Sequence, residues 1–256
     1  MEKGEYWIGD DGISLNTRHQ VSFSKNWWLG IFVTTEAQWA RIVNNNNSSS
    51  DTRGISQVSW NTMRGSAGSG SRPSTGIFSI LNNNVTKPDG TKLVNLDSAT
   101  VKADSSIGFD LPTCAMWETA MRAGVDTSWI CGDTSEGLSE YAFYSTSTRW
   151  DNNGGQQRAT YVGRKKPNNW GFYDPVGNSW NFTRDAYTSQ NRANVETNGF
   201  KAISSGDRVE ADYFTPKGGS GYDFPSEGFH RFSSCVKTSK STIWSTSGCR
   251  VAYIPE

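Results

Sequence analysis

Residues 166–174 read KPNNWGFYD and residues 177–182 read GNSWNF, and these two phrases carry the strongest structural signal in the chain. Lys166-Pro167-Asn168 is typical of a turn, because proline fixes φ and asparagine can bond to its own backbone. Trp170 is an amphipathic anchor whose ring packs while its N–H finds a partner. Gly177-Asn178 predicts a tight turn that needs a positive φ. The pattern predicts a domain held by aromatic packing and loop hydrogen bonds more than by long sheets.

The composition excludes several functional classes. The 256 residues carry 25 Lys and Arg against 25 Asp and Glu, so the chain has no net charge and is not expected to bind nucleic acid. The only histidines, His19 and His230, cannot build a histidine-rich metal site. No apolar run approaches the ~20 residues of a membrane span, and residues 1–7 are too polar for a signal peptide. The 11 tryptophans are spread over the chain, which favours scaffold roles for nearly all of them.

Short strands, two helices and long loops are expected along the chain. Thr34 or Thr35 can cap a helix with apolar positions from 37 to 43, and Thr113 can cap a second helix that ends at Gly124. This pattern predicts a single α+β domain over residues 1–256. The remaining assignments are short extended pieces at 21–23, 27–33, 58–60 and 249–254, loops at 44–50 and 65–76, and a hairpin-like turn at 88–90.

Several further phrases occur in the order found in one protein family. Residues 28–39 read WLGIFVTTEAQW, residues 111–118 read LPTCAMWE, and residues 248–251 read GCRV. Together with the stretch from 166 to 182, they resemble the formylglycine-generating enzyme (sulfatase-modifying factor) family, a branch of the C-type lectin fold. The resemblance covers nearly the whole chain. It implies a C-type-lectin-like α+β fold with two helices, short antiparallel strands and long loops.

The resemblance also implies where catalytic residues would lie. Enzymes of this family look like copper-dependent oxidases with two cysteines near the C-terminus, because Cu(I) needs soft thiolate ligands. In the corresponding stretch, residues 230–239, Cys235 lies where the family has an aromatic residue and not where it has either catalytic cysteine. No second cysteine follows before Cys249. The chain is therefore expected to be non-catalytic and to hold no cofactor. A copper-dependent oxidase that uses Cys235 and a second thiol is the alternative.

Two other features bear on disulfides and metals. The four cysteines allow three pairings and contain no CxxC spacing. The resemblance implies a calcium site that uses an asparagine and a glutamate of the phrase at 177–182. Asn178 is present, but Asn181 replaces the glutamate, so Ca²⁺ binding is expected to be weak.

Without catalysis, the resemblance points to the variable proteins of diversity-generating retroelements, in which a C-terminal segment is diversified on a fixed lectin-like scaffold. The segment at 222–248 departs most from the family phrases and is dense in Ser and Thr, with interspersed aromatic and basic residues. Small polar residues adapt their hydrogen bonds and rigid aromatics give contact area, so this mixture suits a binding surface. The predicted ligand-binding residues are Tyr222, Phe224, His230, Phe232, Ser233, Cys235, Lys237, Thr238, Ser239, Lys240, Thr242, Trp244 and Thr246.

The predicted function is therefore ligand binding by a diversified surface. The expected partner is a protein or cell-surface ligand, with no nucleic acid and no membrane span. Trp244 would be a fixed residue of this surface, because changes at the adenines of asparagine codons cannot produce tryptophan. A structural adhesin or a virion receptor-binding protein would use the same surface and is a further alternative.

Overall fold

The computed structural model describes residues 1–44, 50–64, 76–86, 89–90, 108–145, 159–203 and 209–255. The helices are α1 (Glu36–Asn44), α2 (Trp60–Arg64), α3 (Ile77–Asn84) and α4 (Cys114–Arg122). The strands are β1 (Gly4–Ile8), β2 (His19–Phe23), β3 (Trp28–Leu29), β4 (Gly108–Asp110), β5 (Trp180–Asn181), β6 (Ala186–Thr188), β7 (Val209–Phe214), β8 (Thr238–Ser239), β9 (Ser247–Gly248) and β10 (Ala252–Ile254).

The strands form small separate sheets rather than one large one. β1 and β2 make an antiparallel hairpin, and the orders β3-β10-β4 and β6-β7-β8 make antiparallel three-stranded sheets. β5 and β9 pair in parallel, which the sequence did not predict, and they join Trp180 to Ser247. The α+β class with short strands and long loops is confirmed.

Both predicted helices are present with the predicted caps. The Thr35 hydroxyl accepts the Gln38 N–H at 3.2 Å, and the Gln38 side chain accepts the Thr35 N–H at 2.9 Å. This reciprocal pair starts α1. Thr113 caps α4 by accepting the Met116 N–H at 3.0 Å, and Gly124, at φ +82, follows its last turn. These two helices have nine residues each, and no helix in the described ranges is long and apolar enough to cross a bilayer.

Two short helices were not predicted. Residues 58–60 were expected to be extended, but Trp60 begins α2, because the Ser59 hydroxyl accepts the Thr62 N–H at 3.0 Å and acts as a cap. α3 packs against α1 and α2. The predicted loops at 44–50 and 65–76 fall largely outside the described residues. Of the predicted turn at 88–90, Asp89 and Gly90 are described, and Gly90 has a φ of +83°.

The stretch from 166 to 182 folds as its turn residues predict. The Asn168 side chain accepts the N–H groups of Trp170 and Phe172 at 3.1 and 2.9 Å. Gly177 and Asn178 have φ of +74° and +61°. A Cβ on Gly177 would lie 2.3 Å from the Phe143 carbonyl oxygen, so only glycine fits there.

The core consists of two apolar clusters. One surrounds Trp27 and Trp117 beneath α4 and the β1–β2 hairpin, and the other surrounds Trp60, with Phe182 and Phe214 in edge-to-face contact. The expected scaffold role of tryptophan holds for these buried rings. It does not hold for three others, because Trp7, Trp28 and Trp170 are 54, 54 and 41% exposed.

Candidate ligand-binding surface

A buried ionic cluster fixes the backbone in the first half of the candidate segment. Lys217 is fully buried, and its Nζ donates to Glu118 Oε2 at 3.1 Å and to the Ser234 carbonyl at 3.0 Å. Asn16 Nδ2 donates to Glu118 Oε2 at 3.0 Å and to the Ser233 carbonyl at 3.1 Å. Because α4 carries Glu118, the helix and the N-terminal loop together hold both carbonyls in place.

The charges in this cluster keep one another ionised. Burial raises the pKa of Glu118, but the charges of Lys217 and Arg122 bring it below its ordinary value. Burial lowers the pKa of Lys217, but its neighbours, the Glu118 carboxylate first among them, together raise the pKa above its ordinary value. One carboxylate therefore compensates two buried cations.

His230 and Phe232 lie in the interior. His230 has no exposed surface, its Nε2 lies 3.0 Å from the Ser220 carbonyl oxygen, and burial lowers its pKa. The fully buried Phe232 ring lies 5.2 Å from the Arg122 guanidinium carbon. In this structure both predicted binding residues contact scaffold groups.

Lysines and aromatic rings flank strand β8. Thr238 is buried where β8 pairs with β7. Lys237 is exposed, and its Nζ lies 4.2 Å from the ring centroid of Tyr213. Lys240 is buried, and its Nζ lies 5.1 Å from the ring centroid of Trp60. These cation–π contacts fix the two ammonium groups on either side of the strand.

A turn of small hydroxyl side chains follows β8. The Thr242 N–H donates to the Ser239 carbonyl at 3.0 Å, and the hydroxyls of Ser239 and Ser241 lie 3.0 Å apart. Ile243 comes next and is 61% exposed. The tip surface, as we name it, consists of Lys237, Ser239, Ser241, Thr242, Ile243 and Trp244.

An aromatic cluster supports one end of the tip surface. The half-buried Trp244 ring lies 5.4 Å from the ring of Trp180, which in turn lies 5.5 Å from Phe229. Trp180 is itself buried. Trp244 thus packs on the scaffold with part of its indole left in solvent.

The chain beyond the tip returns into the core. The Thr246 carbonyl accepts the Trp180 N–H at 2.8 Å and the Ser179 hydroxyl at 3.0 Å. Ser247 Oγ donates to the Val58 carbonyl at 2.6 Å. The buried Arg250 guanidinium then donates to the Ile31 carbonyl at 2.7 Å. This end of the segment is anchored as firmly as its beginning.

Phe224 and Tyr222 lie near the start of the segment. Phe224 is 49% exposed, and its N–H donates to Glu227 Oε2 at 2.7 Å at the head of a short 3-10 turn. Tyr222 is half-buried, and burial raises its pKa to about 12. Only Phe224 of this pair offers a largely open side chain.

The predicted binding residues therefore separate by exposure. Phe224 and Lys237 are exposed. Partly exposed residues are Tyr222, Cys235, Ser239, Thr242 and Trp244. Buried residues are His230, Phe232, Ser233, Thr238, Lys240 and Thr246.

Sequence reasoning left out two tip residues and two supporting rings. Ser241 and Ile243 are exposed, and Phe229 and Trp180 support Trp244. A signal for Ile243 was present in the sequence, since it is a lone aliphatic residue inside a run of serine and threonine. No local signal predicts the contact of Trp180 with Trp244, because it joins two distant stretches of the chain.

The cysteines do not fit the two-thiolate copper site that the resemblance implies. All four are free. Cys235 Sγ lies 3.5 Å from the Ser233 carbonyl oxygen, whereas Cys249 Sγ lies 3.6 Å from the Thr34 hydroxyl. Burial raises the pKa of both thiols, that of Cys249 to about 12. Copper(I) needs ionised soft ligands, and these thiols have separate partners and resist ionisation.

At the family calcium position Asn178 bonds to another loop and Asn181 to its own, while Asn181 Oδ1 has no partner among the described residues. Asn178 accepts the Thr160 N–H at 2.8 Å and donates to the Thr160 carbonyl at 3.3 Å. Asn181 Nδ2 donates to the Ser179 carbonyl at 2.9 Å. Across the described ranges, no group of three or more His, Cys, Asp or Glu side chains could hold a metal ion.

Comparisons with known proteins place this architecture. The chain is similar to Treponema denticola variable protein 1, with 21% identity, a TM-score of 0.70 and coverage of 100% of this chain and 94% of that chain. It is also similar to PvdO from Pseudomonas aeruginosa, with 15% identity, a TM-score of 0.70 and coverage of 98% and 92%. For CarF the identity is 17%, the TM-score 0.57 and the coverage 100% and 96%. A search of curated protein sequences gives no match.

The three structural similarities have low identity and establish the fold, which is of the C-type-lectin-like type expected from the sequence. The family model for the sulfatase-modifying factor enzyme 1-like domain matches residues 1–254, which is nearly the entire chain. The chain therefore belongs to the sulfatase-modifying factor enzyme 1-like family.

Proposed function

We propose that this chain is a non-catalytic binding protein that presents the tip surface to a protein or cell-surface ligand. The observation that carries the proposal is Ile243, which is 61% exposed on a turn whose two ends are anchored in the core. An aliphatic side chain held in solvent beside a partly exposed indole is the kind of apolar contact area that interaction sites use.

The surroundings of Ile243 support a binding role. The hydroxyls of Ser239, Ser241 and Thr242 can donate or accept hydrogen bonds, and Lys237 adds a positive charge at the edge. Trp244 gives rigid contact area, because its ring is already packed against Trp180. Small adaptable hydroxyls beside a rigid aromatic are the composition that paratopes favour.

The buried predicted residues take a supporting role in this proposal. His230, Phe232 and Thr246 hold the backbone from which the tip projects, so little conformational freedom is lost when a ligand binds. The similarity in fold to Treponema denticola variable protein 1 and the sequence resemblance to diversified binding proteins favour the same interpretation.

A library experiment tests this proposal. One displayed library is randomised at Ser239, Ser241, Thr242 and Ile243, and it is selected against hen egg-white lysozyme as the probe protein. We expect folded clones that bind the probe, because exposed side chains can change without loss of core packing. A control library randomised at His230, Phe232, Thr238 and Thr246 should yield few clones that melt cooperatively. Equal loss of folded clones from both libraries contradicts the proposal.

The oxidase alternative is tested with copper. Anaerobic titration of the reduced chain with Cu(I) should show no stoichiometric binding. Stoichiometric binding that disappears in Cys235→Ser would contradict the proposal and favour the copper-dependent oxidase.

A further inference from the structure

A separate cleft lies between the β1–β2 hairpin and the C-terminal end of α4. Its volume is about 300 Å³, and Trp7 of β1 and Trp170 are among the residues that line it. These indoles are 54 and 41% exposed. Large aromatic rings that remain open to solvent around a concave site are typical of ligand pockets rather than of a scaffold.

Both indoles are held in place by neighbouring groups. The Arg18 guanidinium carbon lies 5.1 Å from the Trp7 ring centroid, and Arg18 forms an ion pair with Asp126. The Trp170 backbone N–H donates to the Asn168 side chain, which fixes the chain at this residue, and the Tyr6 ring meets the Trp170 ring edge to face at 6.0 Å. The platform is therefore formed before any ligand arrives.

Thr119 supplies an unused polar group in the same cleft. It belongs to α4, lines the cleft and is 2% exposed. Its hydroxyl finds no hydrogen-bond partner within the described part of the chain. A buried hydroxyl without a partner costs free energy. Its oxygen has less than 1 Å² of accessible surface, so a ligand hydroxyl removes that cost only when the side chains at the cleft wall move aside.

The charges around the cleft balance one another. Glu5 and Asp126 contribute two carboxylates, and Arg18 and Arg122 contribute two guanidinium groups, of which that of Arg122 is buried and already donates to Glu118 and to the Gly9 and Thr127 carbonyls. Because Arg18 already lies over Trp7, an organic cation in the cleft would meet a positive charge as well as the rings. A neutral ligand with an apolar face and several hydroxyls fits this lining best.

We propose that this cleft binds a neutral saccharide. One sugar ring packs its C–H face on Trp7 or Trp170 while its hydroxyls meet the charged groups and Thr119. Tyr6 and Trp170 also line an adjoining cleft of about 390 Å³, so the same pair of rings borders two cavities. A chain of sugar units can extend from one cleft to the other across Tyr6 and Trp170, which favours oligosaccharides over single sugars.

Calorimetry and tryptophan fluorescence with cellotriose, maltotriose and mannotriose as probes test the proposal. We expect at least one of these trisaccharides to bind at millimolar concentrations. Trp7→Ala and Trp170→Ala should each weaken that binding by about tenfold. Thr119→Val should weaken it without lowering the melting temperature, since the lost hydroxyl has no partner in the protein. If Thr119 were only structural, Thr119→Val would lower the melting temperature and leave saccharide binding unchanged.

Trp28→Ala is the matched control, because Trp28 is as exposed as Trp7 but packs beside Tyr253 instead. It should leave saccharide binding unchanged. The proposal is overturned if no trisaccharide binds, if Trp28→Ala weakens binding equally, or if tetramethylammonium chloride binds more tightly than every sugar. None of these readouts depends on the tip surface, so this proposal and the proposed function fail independently.

Discussion

Glu118 is the residue through which α4 holds the candidate segment. Its two carboxylate oxygens accept from Gly9, Asn16, Arg122 and Lys217, and it is 1% exposed. A buried charge that loses its partner is strongly destabilising, whereas loss of both partners costs less.

We expect Glu118→Gln to lower the free energy of unfolding by ~3 kcal/mol, because it leaves two buried cations without their carboxylate. Lys217→Met should cost less, since Glu118 keeps Arg122. The double variant should be less destabilised than the sum of the single variants. Urea denaturation of the wild type, the two single variants and the double variant measures this coupling.

A control, Lys166→Met, breaks the exposed pair with Glu140 and should leave the unfolding midpoint nearly unchanged. Strict additivity would contradict the account of a shared buried carboxylate.

At the scale of elements, the N-terminus of α4 links the helix to a distant loop. The Thr113 hydroxyl accepts the Met116 N–H at 3.0 Å and donates to the Gly199 carbonyl at 2.5 Å. Cap and tertiary contact therefore depend on one oxygen atom.

Thr113→Ala should lower the free energy of unfolding by ~2 kcal/mol, since it removes the cap and leaves the Gly199 carbonyl unpaired. Thr113→Ser keeps the hydroxyl and is the matched control. Thermal unfolding followed by circular dichroism gives both values. If the serine variant were as unstable as the alanine variant, the methyl group rather than the hydroxyl would carry the effect.

Elements with local signals could be predicted, and elements fixed by distant contacts could not. A few neighbouring residues are enough to predict the helix caps at Thr35 and Thr113 and the turn at Gly177-Asn178. β1 was missed because its residues, GEYWI, alternate only weakly, and its register with β2 becomes clear only in the hairpin. The parallel β5–β9 pair joins short stretches far apart in the chain, which no local pattern reveals.

The candidate site shows the same division. Its proposed location in residues 222–248 rests on the sequence, and Lys237 and Phe224 of the predicted residues are exposed in the structure. The burial of His230 and Phe232 could not be foreseen, because their neighbours Ser220 and Arg122 are set by tertiary packing. Composition identifies a segment that differs from the scaffold, but only the fold determines which of its side chains reach solvent.

For the whole molecule, the two histidines give pH dependences of opposite sign. Burial lowers the pKa of His19, but Glu196, whose Oε2 lies 3.6 Å from Nε2, raises it above 6.5. Burial also raises the pKa of Glu196, but Arg192 and His19 bring it to about 2, so it stays ionised near neutrality. For His230, burial lowers the pKa below 6.5.

The contribution of His19 is therefore fully present below pH 6.5 and is lost as the pH rises through its raised pKa. We expect His19→Gln to destabilise the protein more at about pH 6 than at about pH 8. Urea denaturation of the wild type and of His19→Gln at each pH gives the difference in their free energies of unfolding. His230 is present in both proteins, so its contribution cancels from this difference. An equal loss at both values would contradict a charged His19 in the fold.

The segment that carries the tip surface is fixed at both ends, and this affects how its length can change. Ser234 is held by Lys217 and Ser247 by Val58, so the ends of the intervening loop are fixed by the rest of the molecule. For such a loop, doubling the number of residues adds only about 0.6 kcal/mol of closure entropy. Insertions in the exposed turn between the buried Lys240 and the packed Trp244 are therefore thermodynamically inexpensive, whereas changes that shift β8 would break its pairing with β7. Evolution can reshape this part of the protein by changing loop length as well as residue identity.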